Sequence, residues 1–293
     1  ALRLRVRVIG VREGAALLTV VGTPIGNLDD LSPRAAAALC AAEVVACEDT
    51  RRTAVVLRRA ESTARMVALH AHNEAARAAE LCRRMEEGTP VALVSDAGMP
   101  VVSDPGSRLV RAALDAGIAV SVVPGPSAAT AAISVSGLGD GDGFVFAGFF
   151  PRRAAERREL MKRLAASAVP TVGYESPQRL PALLAALAEE LPDRPVAVAR
   201  ELTKMHEEVV RGTAAEVAAR FTTPPRGEIT VVVGGGAAVQ EDPVDLRPGM
   251  ELLLDAGMGA SAAAEAAAAF GVTTRNRAYR VALELAEESR RAR

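Results

Sequence analysis

Five short polar loops hold most of the residues that could do chemistry. They are Gly22-Thr23-Pro24-Ile25-Gly26-Asn27, Cys47-Glu48-Asp49-Thr50-Arg51, Ser95-Asp96-Ala97-Gly98-Met99-Pro100, Pro124-Gly125-Pro126-Ser127-Ala128 and Arg200-Glu201-Leu202-Thr203. Each follows an apolar run of strand length, and ligands of α/β sheets collect at the carboxyl ends of strands. A single loop of this kind is a turn; five in succession predict a shared cleft. Gly98, and Gly106 of Ser103-Asp104-Pro105-Gly106, let a ligand approach the backbone. Asp96 suits a ribose hydroxyl or an amine, or it stabilises its own turn, and the loop alone leaves both open.

Several chemistries lack their residues. The first loop has no Gly-Lys-Ser/Thr, and Pro24 removes a backbone donor, so it is not a Walker phosphate clamp. No Gly-x-Gly-x-x-Gly follows a strand, and Gly137 to Gly143 reads as a flexible connection. No Gly-x-Ser-x-Gly elbow is present for a serine hydrolase. His70-x-His72 would place two imidazoles on one strand face. Glu74 is near, but nothing completes a ligand set, so no metal is expected; His72, Asn73 and Glu74 instead suit hydrogen bonds to a polar substrate. The cysteines, Cys40, Cys47 and Cys82, read as reduced thiols. Residues 151–163 carry six basic and two acidic side chains, the densest basic patch in the chain. It is a solvated helix face or a phosphate contact.

The elements that must position these loops are legible in the hydrophobic pattern. Strands are expected at 17–21, 44–47, 91–94, 118–123, 144–149, 171–174, 196–199 and 229–233. Helices are expected from Ser32-Pro33 and over 74–88, 107–116, 127–135, 154–166, 180–191 and 214–220. Such alternation predicts α/β layers. Two consecutive α/β domains meeting near residue 125 fit it better than one long sheet, with the second sheet open to mixed pairing. The expected boundaries are 15–124, 125–236 and 237–293, the last a linker reaching Pro248 and then helices. A helix over 261–270, broken at Gly271, precedes one capped by Thr273 or Thr274; the pair resembles a helix-turn-helix or is a packing appendage.

The chain has 293 residues, 49% hydrophobic and 24% charged, with 35 Lys+Arg against 36 Asp+Glu. That is globular composition with no global basic field. Only Lys162 and Lys204 are lysines, so positive charge is nearly all arginine. No apolar run is long enough to span a membrane, and residues 1–9 alternate charged and apolar, unlike a secretory leader. They could form an edge strand or a frayed extension. The expectation is a soluble cytoplasmic protein.

Eight motifs occur in unbroken order: Gly-Thr-Pro-Ile-Gly-Asn-Leu-Asp-Asp (22–30), Cys-Glu-Asp-Thr-Arg (47–51), His-x-His-Asn-Glu (70–74), Ser-Asp-Ala-Gly-Met-Pro (95–100), Ser-Asp-Pro-Gly (103–106), Pro-Gly-Pro-Ser-Ala (124–128), Tyr-Glu-Ser-Pro (174–177) and Ala-Arg-Glu-Leu-Thr-Lys (199–204). Together they resemble the ribosomal RNA small-subunit methyltransferase I family, a branch of the tetrapyrrole methylase superfamily, over about residues 15 to 233. Met99 stands where that family most often has Thr, a change in packing near the cofactor.

The resemblance implies two α/β domains of the tetrapyrrole methylase type with S-adenosylmethionine in the cleft between them, and a small C-terminal helical extension. It implies methylation of a cytidine ribose 2′-oxygen in the decoding region of small-subunit (16S) rRNA, presented as rRNA or as the 30S subunit. It also implies a homodimer. The superfamily's cofactor loops map onto Pro24, Ser95, Asp96, Ala97, Ser127 and Ala128, then Tyr174 and Glu175, with Gly227 to Thr230 near the adenine. A ribose hydroxyl is a weak acid, so a base can take its proton. Glu48, Asp49, His72 and Glu201 are the candidates, unranked. Arg51, Arg200 and Lys204 are placed on the RNA side, to hold phosphates or favour a developing alkoxide, with a structural ion pair as the alternative for each; Arg152, Arg153, Arg157 and Arg158 gain weight as RNA contacts. The alternatives are a tetrapyrrole or protein side-chain methylase on the same scaffold, or a non-catalytic RNA-binding ribosome-assembly protein.

Overall fold

The computed structural model describes residues 17–139, 141, 143–236, 245–270, 273 and 275–291. The readings of residues 1–16, of 237–244, and of Gly271 and Thr274 lie outside them. The chain forms two compact units, 1–236 and 237–293.

The first unit begins with strand β1 (Leu17–Val21), helix α1 (Pro33–Ala41), β2 (Val44–Cys47), α2 (Thr50–Ala60), β3 (Arg65–Ala68), α3 (Glu74–Glu86), β4 (Val91–Leu93), α4 (Ser107–Asp115) and β5 (Ala119–Val123). All pairings in this five-stranded sheet are parallel, in the order β3-β2-β4-β1-β5. Parallel strands are covered on both faces, so β2 and β4 are apolar and buried throughout. One face packs on Leu81, Met85 and Leu109, the other on Leu39, Val56 and Leu57. Helix starts follow local chemistry: Ser32 Oγ accepts the Ala35 N–H at 3.1 Å, and Pro33 opens α1 where its missing N–H has no partner to lose.

The rest of this unit is α5 (Ala128–Ser136), β6 (Val145–Phe149), α6 (Ala154–Ala166), β7 (Thr171–Glu175), α7 (Leu180–Glu190), β8 (Pro195–Arg200), β9 (Glu208–Thr213), α8 (Ala214–Arg220) and β10 (Ile229–Val233). The second sheet is mixed, in the order β6-β7-β10-β8-β9. β6 and β7 are parallel; β10 runs antiparallel to β7 and β8, and β9 antiparallel to β8. Ile25, from the loop after β1, packs with Ala129, Ala197 and Leu202 of this second half. The halves touch again where a Cβ added to Gly22 would lie 2.6 Å from the Gly125 Cα, a crossing open only to glycine.

Three elements of this unit depart from the sequence pattern. The Thr50–Ala60 stretch is a helix rather than only a loop, because Asp49 caps it and Val56, Leu57 and Ala60 form a buried stripe. β3 and β9 occupy the sheet edges, where one exposed side blurs the apolar signal of a strand. The chain leaves β3 at Ala68, so His70 and His72 lie in a turn rather than on a strand face.

The second unit has α9 (Leu246–Asp255), α10 (Ala260–Ala269) and α11 (Arg275–Arg291) around Leu246, Met250, Ala263, Ala278 and Leu285. α9 begins within the expected linker. Asp245 caps it at 3.1 Å, and Pro248 falls in the first turn, where an absent N–H costs no helical bond. No helix among the described residues is long and apolar enough to cross a membrane.

Candidate active site

The carboxyl ends of β1, β2 and β4 face the ends of β6 and β7 and the start of antiparallel β10, around a cavity of about 380 Å³. Two backbone bonds fix its floor: Thr23 N–H donates to Gly98 O at 2.9 Å and Gly98 N–H to Thr23 O at 3.1 Å. The Thr23 hydroxyl donates to Ser95 O at 3.2 Å and the Ser95 hydroxyl to Gly98 O at 3.2 Å. Pro24 and Ser95 are therefore buried behind the wall and do not line the cavity. Asp96, Ala97, Ser127, Ala128, Tyr174 and Glu175 do line it, as do Gly227 to Thr230.

The four residues named as bases separate clearly. Glu48 lines the cavity; burial and the neighbouring Asp96 carboxylate raise its pKa, against Arg52. Asp49 does not line it. Its carboxylate accepts the Arg51 N–H at 2.8 Å as the α2 cap and holds the Arg51 guanidinium at 2.7 Å, which lowers it to about 2. A carboxylate that acidic is a poor base. His72 is exposed, its ring centroid 6.2 Å from that of His70, and lies away from the cavity lining. Glu201 points into its own loop, accepting Lys204 Nζ at 2.7 Å and Glu228 N–H at 2.9 Å; the Lys204 bond holds its pKa below the usual value.

The cationic candidates are similarly divided. Arg200 is bound to Glu208 at 3.0 Å, and Lys204 bridges Glu201 and Glu228. Arg51 is tied to Asp49 yet mostly exposed. Arg152, Arg153, Arg157 and Arg158 sit at and just before the start of α6, with Arg153 3.3 Å from Glu156. None of these seven lines the cavity.

Sequence reasoning did not nominate three residues that do. Arg52 lies 3.6 Å from Asp96 and 3.8 Å from Glu228. Adjacent arginines 51 and 52 are equivalent in sequence, and the turn of α2 aims only the second at the cavity. Phe149, at the end of β6, is 59% exposed although it lines the cavity, and its ring packs edge-on to Tyr174 at 5.5 Å. Asp104 is half-buried, and burial together with Glu48 and Asp96 raises its pKa to about 6. Its signal was the Ser-Asp-Pro-Gly run itself. Among the described residues no group of three or more His, Cys, Asp or Glu could hold a metal ion.

Two five-stranded sheets with a cleft at their strand ends define a class, and the comparisons agree with it. The chain belongs to the tetrapyrrole (corrin/porphyrin) methylases, whose family model matches residues 17–218. The structure resembles that of the methyltransferase CobJ (TM-score 0.59, 24% identity, 76% of this chain and 95% of that one). It also resembles uroporphyrin-III C-methyltransferase from Thermus thermophilus complexed with S-adenosyl homocysteine (TM-score 0.55, 20% identity, 75% and 97%). Within that class the chain belongs to the ribosomal RNA small subunit methyltransferase I family. It is 43% identical to the member from Mesorhizobium japonicum over 93% of both chains, and 48% identical to that from Mycobacterium tuberculosis over 75% of this chain and 78% of that protein.

Proposed function

We propose that this protein is an S-adenosylmethionine-dependent methyltransferase acting on a cytidine ribose 2′-oxygen in the decoding region of small-subunit (16S) rRNA. The observation that carries the reading is the 43% identity to a ribosomal RNA small subunit methyltransferase I over 93% of both chains. The cavity fits the cofactor chemically. Five carboxylates, Glu48, Asp96, Asp104, Glu175 and Glu228, line it against one guanidinium, Arg52, so it favours a cation. Ile25, Met99, Ala199 and Ile229 supply an apolar surface for the uncharged parts of such a ligand. Asp96, Ala97, Ser127, Ala128, Tyr174 and Glu175 would hold S-adenosylmethionine, whose sulfonium supplies an activated methyl group.

The protein's own part is alignment and proton removal. The exposed Phe149 ring offers a stacking face for an unstacked base, the usual mode of single-stranded RNA recognition. Arg152, Arg153, Arg157 and Arg158, just beyond it, would meet phosphates. The proposal includes a homodimer acting in the cytoplasm, and α/β domains over 15–124 and 125–236 with an extension over 237–293.

The test is incubation with labelled S-adenosylmethionine and either unmethylated small subunits or porphyrinogens, followed by nucleoside analysis. Label in 2′-O-methylcytidine is expected; label in the porphyrinogen alone, or in neither, sinks the reading. Calorimetry with S-adenosylhomocysteine and no divalent ion should show binding. Light scattering at micromolar concentration should give twice the chain mass.

A further inference from the structure

The carboxylates of the cavity differ in what they have left to give. Asp96 accepts the Asp49 N–H at 2.9 Å and lies 3.6 Å from Arg52. Glu175 is paired with Arg179 and accepts the Ser176 N–H at 2.7 Å. Glu228 lies 2.8 Å from Lys204 Nζ and 3.8 Å from Arg52. Glu48 and Asp104 have no cation within 4 Å among the described residues. Glu48 is exposed, whereas Asp104 is half-buried.

Asp104 also sits on an over-determined backbone. Val101 and Ser103 adopt left-handed conformations, φ 74° and 65°. For a β-branched residue such as Val101 this is rare, and it persists only where the surroundings enforce it. The far end of the loop, where it enters α4, is anchored by Glu74, only 6% exposed, whose Oε1 accepts the Gly106 N–H at 3.0 Å and the Arg108 N–H at 2.7 Å. On the other side the loop abuts β6, since a Cβ on Gly148 would lie 3.4 Å from Ser103 Oγ. The next residue in β6 is Phe149. A carboxylate with no cation partner and the exposed aromatic ring of Phe149 thus line the same cavity.

We infer that Asp104 is the general base for the ribose hydroxyl, with Phe149 holding the nucleotide's base and Glu74 acting as a positioning residue. This rests on the function proposed above. The proton of the 2′-hydroxyl passes to the Asp104 carboxylate and from there to water. The oxygen's electron pair forms the bond to the methyl group as the carbon–sulfur bond breaks and leaves its pair on sulfur. The charged or titratable groups facing Asp104 are Glu48 from the end of β2, Asp96 from the loop after β4 and Tyr174 from β7. Against a hydrogen bond from the Ser95 hydroxyl, burial, Glu48 and Asp96 raise its pKa to about 6, which keeps it ionised and still basic at neutral pH.

Single-turnover methylation of small subunits against pH tests this in wild type, Asp104→Asn and Asp104→Glu. The wild-type rate should rise through about pH 6 and level off. Asp104→Asn should lose about 100-fold in rate together with that rise, and Asp104→Glu should recover part of both. Carboxyl NMR of the cofactor-free protein should lose one resonance titrating near 6 in Asp104→Asn. S-adenosylhomocysteine affinity by calorimetry should stay at the wild-type value. An Asp104→Asn rate within about threefold of wild type with the same pH profile overturns the base assignment alone, as does loss of S-adenosylhomocysteine binding in that variant. A wild type that methylates no small subunit overturns the reading of function, and the base assignment with it.

Discussion

The loops at 101–106 and 201–207 invite comparison. Each has two non-glycine residues, two positions apart, in the left-handed region: Val101 and Ser103 in one, Glu201 and Thr203 in the other. Each places a carboxylate near the same cleft. In the second loop the polar groups serve the loop. Glu201 binds Lys204 and the Glu228 N–H, and Glu207 accepts the Thr203 N–H at 2.6 Å. In the first, Glu74, from α3, anchors the start of α4, and Asp104 has no cation within 4 Å among the described residues. Backbone strain alone therefore does not mark a catalytic group. The informative quantity is the carboxylate that remains once every nearby cation has been assigned.

Breaking the two supports should give the largest effects. Glu74→Leu leaves two backbone N–H groups in a largely buried setting without their acceptor, at a cost on the order of 2–4 kcal/mol in urea unfolding. Its turnover should fall as Asp104 loses its fixed position, while Glu74→Gln, which keeps an acceptor oxygen, should recover most of both. Glu201→Leu should cost about 1–3 kcal/mol, because Lys204 and the Glu228 N–H lose a partner. The Glu201 carboxyl is held below its ordinary 4.5, so its contribution is present above that value. It is lost as pH falls through the lower folded value, and wild type and variant should converge there.

Asp104→Asn sharpens the contrast in the opposite direction. A carboxyl raised from 3.8 to about 6 destabilises the fold when ionised, and the penalty is complete above 6 and absent below 3.8. The variant should melt a few degrees higher than wild type at pH 8, roughly 2–4 °C for a chain this long, with no gain near pH 3.5. Stability gained with activity lost is the pattern expected of a group kept for function. Replacing Arg152, Arg153, Arg157 and Arg158 with glutamine should change neither melting nor cofactor affinity. It should flatten the salt dependence of RNA binding by about one unit of slope for each phosphate left without its arginine.

Much of the cleft was legible in the sequence because its signals are local. A strand shows as an apolar run, a cap as Ser-Pro, and a ligand loop as Gly, Pro and Asp directly after a strand. These patterns put Asp96, Ala97, Ser127 and Ala128 in loops expected to share a cleft, Tyr174 came only with the family resemblance, and the motif order pointed to the family. Edge strand β9 and helix α9 escaped because their signals are weak: one exposed face in the first, Pro248 and Gly249 in the second. His72 and Asp49 were reasonable proton acceptors by residue type, but a turn carries one away from the cavity and a helix N-terminus occupies the other.

Composition, periodicity and motif order were thus enough to determine two α/β halves, a cleft at their strand ends and the family of the chain, since each depends on residues close in sequence. Only the tertiary structure decided which carboxylates are already spent. That depends on partners far apart in the chain, such as Glu74 with Gly106, 32 residues on, or Thr203 with the Asn27 N–H across 176 residues. A side chain's basicity is set by what surrounds it in space, and the surroundings of Asp104 exist only once both sheets and the loop between β4 and α4 have closed around it.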